Sequence, residues 1–198
     1  FLFAMCSATD SFDIALSFYS TDFVDKEYDN TPIDNDYMLK ANYSNGIAFE
    51  NYILYTDPTV YEYSNIDFPS SHQPLTRSAE SDYFTLSNFS AKWDPIPSML
   101  IQNHTNNING FMGQTTGYDK NFLKSHVIIL GEDLYSDQVK YIHGKVGKGT
   151  FTFLGGHDPE DYRHFVNDPP TDLDLHRNSP GYRLILNNVL FPAAKKKP

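Results

Sequence analysis

Three short apolar runs crowd into the last third of the chain: His126-Val127-Ile128-Ile129-Leu130-Gly131, Val139-Lys140-Tyr141-Ile142-His143-Gly144 and Gly149-Thr150-Phe151-Thr152-Phe153-Leu154-Gly155-Gly156. Runs this brief, rich in β-branched and aromatic residues and closed by glycine, fit buried strands better than helices. Lys145-Val146-Gly147-Lys148 supplies turn residues between the second and third runs, which predicts a β-hairpin. A further buried strand is expected at Phe1-Leu2-Phe3-Ala4-Met5. It leads through Cys6 into a helix whose Phe12, Ile14, Ala15, Leu16 and Phe18 recur at helical spacing. A last helix opens at Ser179-Pro180, with serine as N-cap and proline in the first turn, and Pro192 ends it. Strands interleaved with flanking helices predict an α/β domain.

The chain has 198 residues, enough for one domain with a real core. Between Thr21 and Arg77 Tyr, Asn, Asp, Ser and Pro dominate, and Ile47 to Tyr55 alternates as a strand would. Aromatic residues are too frequent here for disorder. The reading is therefore one domain over residues 1–198, carrying an irregular, aromatic-rich and β-rich insertion at about 21–110 that packs beside the sheet. Strand candidates continue from Tyr83 to Asn103, with Trp93-Asp94-Pro95-Ile96-Pro97 as a rigid bend. The chain starts at Phe1 inside a strand, which predicts an N-terminally incomplete sheet completed by an upstream segment of the same polypeptide. With 25 acidic against 15 basic residues the formal charge is −10, the wrong sign for a nucleic-acid partner. No run approaches the roughly 20 apolar residues of a membrane-spanning helix. One cysteine excludes an intramolecular disulfide and a cysteine-rich zinc module.

Two constellations bear chemistry. Cys6 stands where a strand turns into a helix, a position that lifts a thiol from the sheet and sets it in the positive end of the helix dipole; a packed, inert cysteine is the competing reading. Gly155-Gly156-His157-Asp158-Pro159-Glu160 follows a strand directly. Two glycines release His157, and Asp158 or Glu160 lies close enough in sequence to orient its ring, which with Cys6 gives a nucleophile, a base and an orienting carboxylate. The alternative is a turn in which His157 serves only as a cap or a loop contact. From His157 to Asn178 the chain is rich in acids and prolines; it reads as an acidic loop that Arg163, Arg177 or Arg183 can pin over the strand ends, with no metal or cofactor called for.

The strand, Cys6 and the following helix, taken with Gly147-Lys148-Gly149-Thr150-Phe151-Thr152-Phe153 and Gly156-His157-Asp158-Pro159-Glu160, resemble the class I glutamine amidotransferase-like superfamily. The Gly-Lys-Gly hairpin leading to Gly-His-Asp is similar to its trehalose-utilisation branch. In wording along the whole chain, the sequence resembles the C-terminal half of a bacterial family often labelled "asparagine synthetase B". The shared segments are Phe3 to Asp10, Gly156 to Glu160 and Pro180-Gly181-Tyr182-Arg183. The resemblance implies a flavodoxin-like sheet, a glutaminase-type site built from Cys6, His157 and Glu160 or Asp158, and, from the export signals of that family, a periplasmic location. Ala4 and Ala8 stand where the amidotransferases have elbow glycines, and Asp158 is inserted between His157 and Pro159.

The functional expectation is an amide hydrolase acting on a small-molecule substrate through Cys6. The alternative is a non-catalytic binding or assembly subunit that keeps the fold and uses its aromatic insertion to contact a protein or carbohydrate partner.

Overall fold

The computed structural model describes residues 1–57, 63–67, 83–109, 111, 117–136, 138–157, 159 and 167–193. Its centre is a seven-stranded mixed sheet. The strands are β1 (Leu2–Met5), β2 (Tyr83–Leu86), β3 (Asn107–Asn109), β4 (Tyr118–Asp119), β5 (Ile128–Glu132), β6 (Gln138–Val146) and β7 (Gly149–Leu154). Their order is β1-β7-β6-β5-β2-β3, and β4 pairs with β6 beyond the end of β7. Only β1 and β7 run parallel, in the register Met5 to Leu154; the other pairs are antiparallel.

The expected hairpin is β6–β7. Val146 faces Gly149 across a two-residue turn, and Gly147 takes φ +55° at the first turn position. A positive φ there matches the right-handed twist of the paired strands, and glycine takes it without strain. The strand expected at 126–131 is β5, and the opening strand and helix are β1 and α1 (Ala8–Ser17). Two short helices, α2 (Lys26–Asp29) and α3 (Pro95–Leu100), precede α4 (Pro180–Leu190). In α4 the Ser179 hydroxyl oxygen accepts the Tyr182 N–H at 3.1 Å, so the sequence-derived N-cap is realised.

Helices cover both faces of the sheet. On one face Ile14 and Phe18 of α1 join Ala4, Ile142, Phe151 and Phe153, along with Ala48, Phe49 and Tyr52 from the loop region. On the other, Leu184 of α4 packs with Phe84, Leu100, Leu130, Tyr141 and Leu154. Asn187 of α4 donates to the carbonyls of Leu100 and Gln102 at 3.1 and 2.8 Å, and Asn188 donates to the Tyr141 hydroxyl at 2.7 Å. Strand β6 is therefore buried on both sides, which explains its nearly unbroken apolar run. The architecture is mixed α/β. Among the described residues no helix is long and apolar enough to cross a membrane.

Three local expectations are corrected. Ile47 to Tyr55 makes only isolated bridges, Phe49 with Leu123 and Leu54 with Ser64. What holds its first residues is Asp13 of α1, whose buried carboxylate accepts the N–H groups of Ile47, Ala48 and Phe49 at 3.0, 2.8 and 3.3 Å. The bend at Trp93–Pro97 instead opens α3, because proline in a first turn lacks a donor that a helix start would leave unpaired anyway. The stretch 83–109, expected beside the sheet, extends it as β2 and β3.

Burial holds the Asp13 carboxyl above its ordinary value, against the pull of the Ala48, Ile47 and Phe49 N–H groups and Lys124. Gly46 must be glycine here, since a Cβ would lie 2.2 Å from Asp13 Oδ1. Asp13→Ala leaves three amides without their acceptor, and is expected to cost about 3 kcal/mol in urea unfolding. A loss below about 1 kcal/mol would mean that water replaces the carboxylate.

Candidate active site

The strand-to-helix junction is strained at Cys6, which holds φ +55°, a value uncommon for a side chain other than Gly, Asn or Asp. Three hydrogen bonds over-determine that conformation. Cys6 N–H donates to the Leu154 carbonyl at 3.1 Å, continuing the β1–β7 ladder by one step. The Cys6 carbonyl then accepts the Thr9 N–H at 3.1 Å and the Thr9 hydroxyl at 2.7 Å, which turns the chain into α1. Strand, strained residue and helix together form the geometry of a nucleophile elbow. Ala4 on the inner side is buried, Ala8 on the outer side is exposed, and Cys6 itself is half-buried.

His157 emerges from the neighbouring strand. After β7 the Gly155 N–H donates to the Lys140 carbonyl at 2.7 Å, Gly156 turns at φ +77°, and His157 is exposed beyond it. Cys6 and His157 thus leave the carboxyl ends of two adjacent parallel strands. Asp158 and Glu160, expected to orient the His157 ring, lie outside the described residues, as does the span 160–166 of the acidic loop. Pro159 is buried against α4, where a Cβ on Gly181 would come within 2.3 Å of the Pro159 Cβ. Contact with Pro159 is thus one reason that residue 181 is glycine.

Later in the loop Asp172 caps a single turn at Leu173–His176, and Asp174 pairs with Arg177 at 3.1 Å. Both partners are exposed, so that pair adds little stability. A ring contact of 5.8 Å between His176 and Tyr182 ties this turn to α4. Among the described residues no group of His, Cys, Asp and Glu side chains is arranged to hold a metal ion.

Behind the elbow lies a polar cluster that the sequence reading passed over. Thr9 and Asp10 of α1, Asp67, Tyr118 of β4 and Lys140 of β6 are each no more than 3% exposed. Burial, the largest influence, holds the Tyr118 hydroxyl pKa well above the ordinary phenol value, and the fields of Asp10, Asp67 and Cys6 act in the same sense. Thr9 donates its hydroxyl proton to the Cys6 carbonyl. Burial pulls Lys140 down to about 7, with Asp67 acting in the opposite sense. The signal was available in the sequence: a lysine inside Val139-Lys140-Tyr141-Ile142 cannot reach water from a strand covered on both faces, and buried lysines are rare unless paired. His143 on the same strand faces Thr152, with Nδ1 at 3.2 Å from its hydroxyl, and burial lowers it.

Neither a family model, nor a curated protein, nor a solved structure matches this chain.

Lys140 links this cluster to stability. Its folded value lies below its unfolded one, so between about pH 7 and 10.5 the unfolded chain binds more protons and stability rises with pH. The difference in unfolding free energy between wild type and Lys140→Met is therefore expected to move in favour of wild type by about 2 kcal/mol between pH 7 and 9, measured by urea titration at each pH. A pH-independent difference would mean that Lys140 stays charged throughout.

Proposed function

We propose that the chain is a cysteine-dependent amide hydrolase of glutaminase type, built on an amidotransferase-like, flavodoxin-like fold. The observation that carries this reading is the strained, triply fixed conformation of Cys6 at the end of β1, beside the strand end that delivers His157. Strain of this kind persists only where surrounding structure holds it, and it concentrates at reactive residues. Parallel pairing of β1 and β7 puts both side chains at one end of the sheet, where α/β folds bind ligands.

In this reading the Cys6 sulfur attacks an amide carbonyl. Negative charge gathers on the carbonyl oxygen, where the N–H groups of Ser7, the N-cap of α1, and Ala8, its first residue, have no acceptor within the helix and serve as donors. His157 protonates the departing amine, and Asp158 or Glu160 orients its ring. Water then releases the acyl group from sulfur.

The test uses p-nitrophenyl acetate as an acyl donor and intact-mass analysis as readout. The native protein is expected to take up one acetyl group, on Cys6, with a burst of p-nitrophenol; Cys6→Ala abolishes both, and His157→Ala slows release of the acyl group by at least about a hundredfold. A protein that acquires no acyl group on Cys6, and whose thiol resists iodoacetamide in the native state, is not a cysteine hydrolase.

A further inference from the structure

The two outer strands of the sheet guard their free edges differently. Strand β3 is short, and its Asn107 and Asn109 are exposed and polar, so it offers little that another chain could extend. Strand β1 has none of the features that blunt an edge. Phe1 to Thr9 contains no charged side chain and no proline, in a chain of net charge −10, and the β1–β7 register runs without a bulge from Leu2 to Met5. Burial falls off toward this edge. Phe151 to Leu154 of β7 are all buried, whereas in β1 only Ala4 is, and Leu2, Phe3 and Met5 stay half-buried. Phe1 beside them is 52% exposed.

Hydrogen-bond parity fixes which backbone groups are open. Successive residues of a strand aim their N–H and C=O groups to opposite sides. Cys6 donates to the Leu154 carbonyl of β7, so Ala4 and Leu2 bond the same neighbour, and Phe3 and Met5 aim both of their backbone groups away from it. Strand β1 pairs with no strand but β7, and among the described residues nothing takes up the Phe3 and Met5 groups. Side chains alternate as well: Leu2 and Ala4 lie on the core beneath α1, Phe3 and Met5 on the core beneath α4. Whatever covers this edge must therefore bring backbone donors and acceptors at strand spacing, together with apolar residues on both faces.

We propose that β1 is the interface of a two-fold homodimer, in which it pairs antiparallel with β1 of a second copy so that the two sheets continue as one. With the axis at Ala4, Phe3 stands opposite the partner's Met5 and Met5 opposite the partner's Phe3. Those are the residues whose N–H and C=O groups are open, so each pair exchanges both of its hydrogen bonds. On the α4 face the same pairs bring thioether sulfur to aromatic ring, a favourable contact. Each copy offers the identical edge, which makes the pairing self-complementary and leaves none of this edge for a third. The lack of charged side chains from Phe1 to Thr9 lets two acidic chains meet here without placing like charges opposite each other. None of this depends on the hydrolase reading.

The unaltered chain provides the first test. Amide hydrogen exchange is followed residue by residue by NMR across a dilution series, with the mass measured by light scattering on the same samples. Protection of the Phe3 and Met5 amides is expected to follow the fraction of dimer, changing by at least about tenfold between dimer and monomer, while the Ala4 and Cys6 amides, bonded to β7, stay protected throughout. A chain that is monomeric at every concentration overturns the proposal; if its Phe3 and Met5 amides are nevertheless protected, another segment of the same chain covers the edge. A dimer in which these two amides exchange freely overturns it as well, since the copies then meet elsewhere. The second test is Met5→Pro, which removes an outward N–H and none of the β1–β7 bonds, and is expected to weaken the dimer by at least about tenfold. Met5→Ala keeps the N–H and is expected to weaken it less. Equal loss in both variants would assign the contact to the side chain rather than to strand pairing, and unchanged affinity in Met5→Pro would place it on another surface; either result overturns the proposal. If Met5→Pro fails to fold, the exchange series on the unaltered chain decides alone.

Discussion

The parallel pairing of β1 with β7 is the constraint on which the rest depends. Strand β7 is placed by its antiparallel hairpin with β6, a local contact that needs only a two-residue turn. Strand β1 is about 150 residues away in the chain and has no such help, so it docks by fitting Leu2 and Ala4 to one core and Phe3 and Met5 to the other. Because side-chain direction alternates along a strand, a slip of one residue would reverse both sets at once. The register is therefore held by burial on two faces, and the Cys6 N–H bond to Leu154 extends it to the point where the chain must turn. Once it does, α1 is delivered over the sheet, and Asp13 on that helix collects the amides of residues 47–49.

That chain of dependence explains how a region poor in regular structure becomes ordered. Residues 21–57 contain little helix and no extended ladder, yet Phe49 and Tyr52 are wholly buried. Aromatic burial against Phe18 and Phe153 supplies the driving force. A carboxylate accepting several N–H groups supplies the direction that a β-ladder would otherwise give. Lys124 adds a second anchor by donating to the carbonyls of Tyr43 and Gly46.

Elements whose signals are local were legible in the sequence. The hairpin, β5, β1 with α1, and the capped start of α4 each announce themselves through periodicity, glycine or serine–proline chemistry within a few residues. The position of Cys6 was legible for the same reason, since strand, turn and helix are contiguous; its positive φ was not, because that arises from hydrogen bonds to Leu154 and Thr9 acting together. Ile47 to Tyr55 misled because alternation there reflects burial against α1 rather than strand pairing. The edge strands β2 and β3 joined the sheet through contacts with β5, which periodicity within 83–109 cannot specify. Asp67 and Tyr118 escaped notice since neither carries a local pattern; they meet Lys140 only after three distant segments assemble.

Lys140 itself shows how a conflict between local sequence and global fold can be read. A strand buried on both faces selects apolar residues, and an ammonium there costs several kcal/mol unless it is paired or neutralised. A methionine or leucine would fill the same space without that cost. Asp67 supplies a counter-charge, Gly155 leaves the neighbouring position open, and Asp10 and Tyr118 bring further polar groups to the same end of the sheet. Packing alone accounts for none of these choices, because each one sacrifices apolar contact. They cohere as the surroundings a buried amine needs, each lowering the cost of keeping Lys140 in a strand covered on both faces.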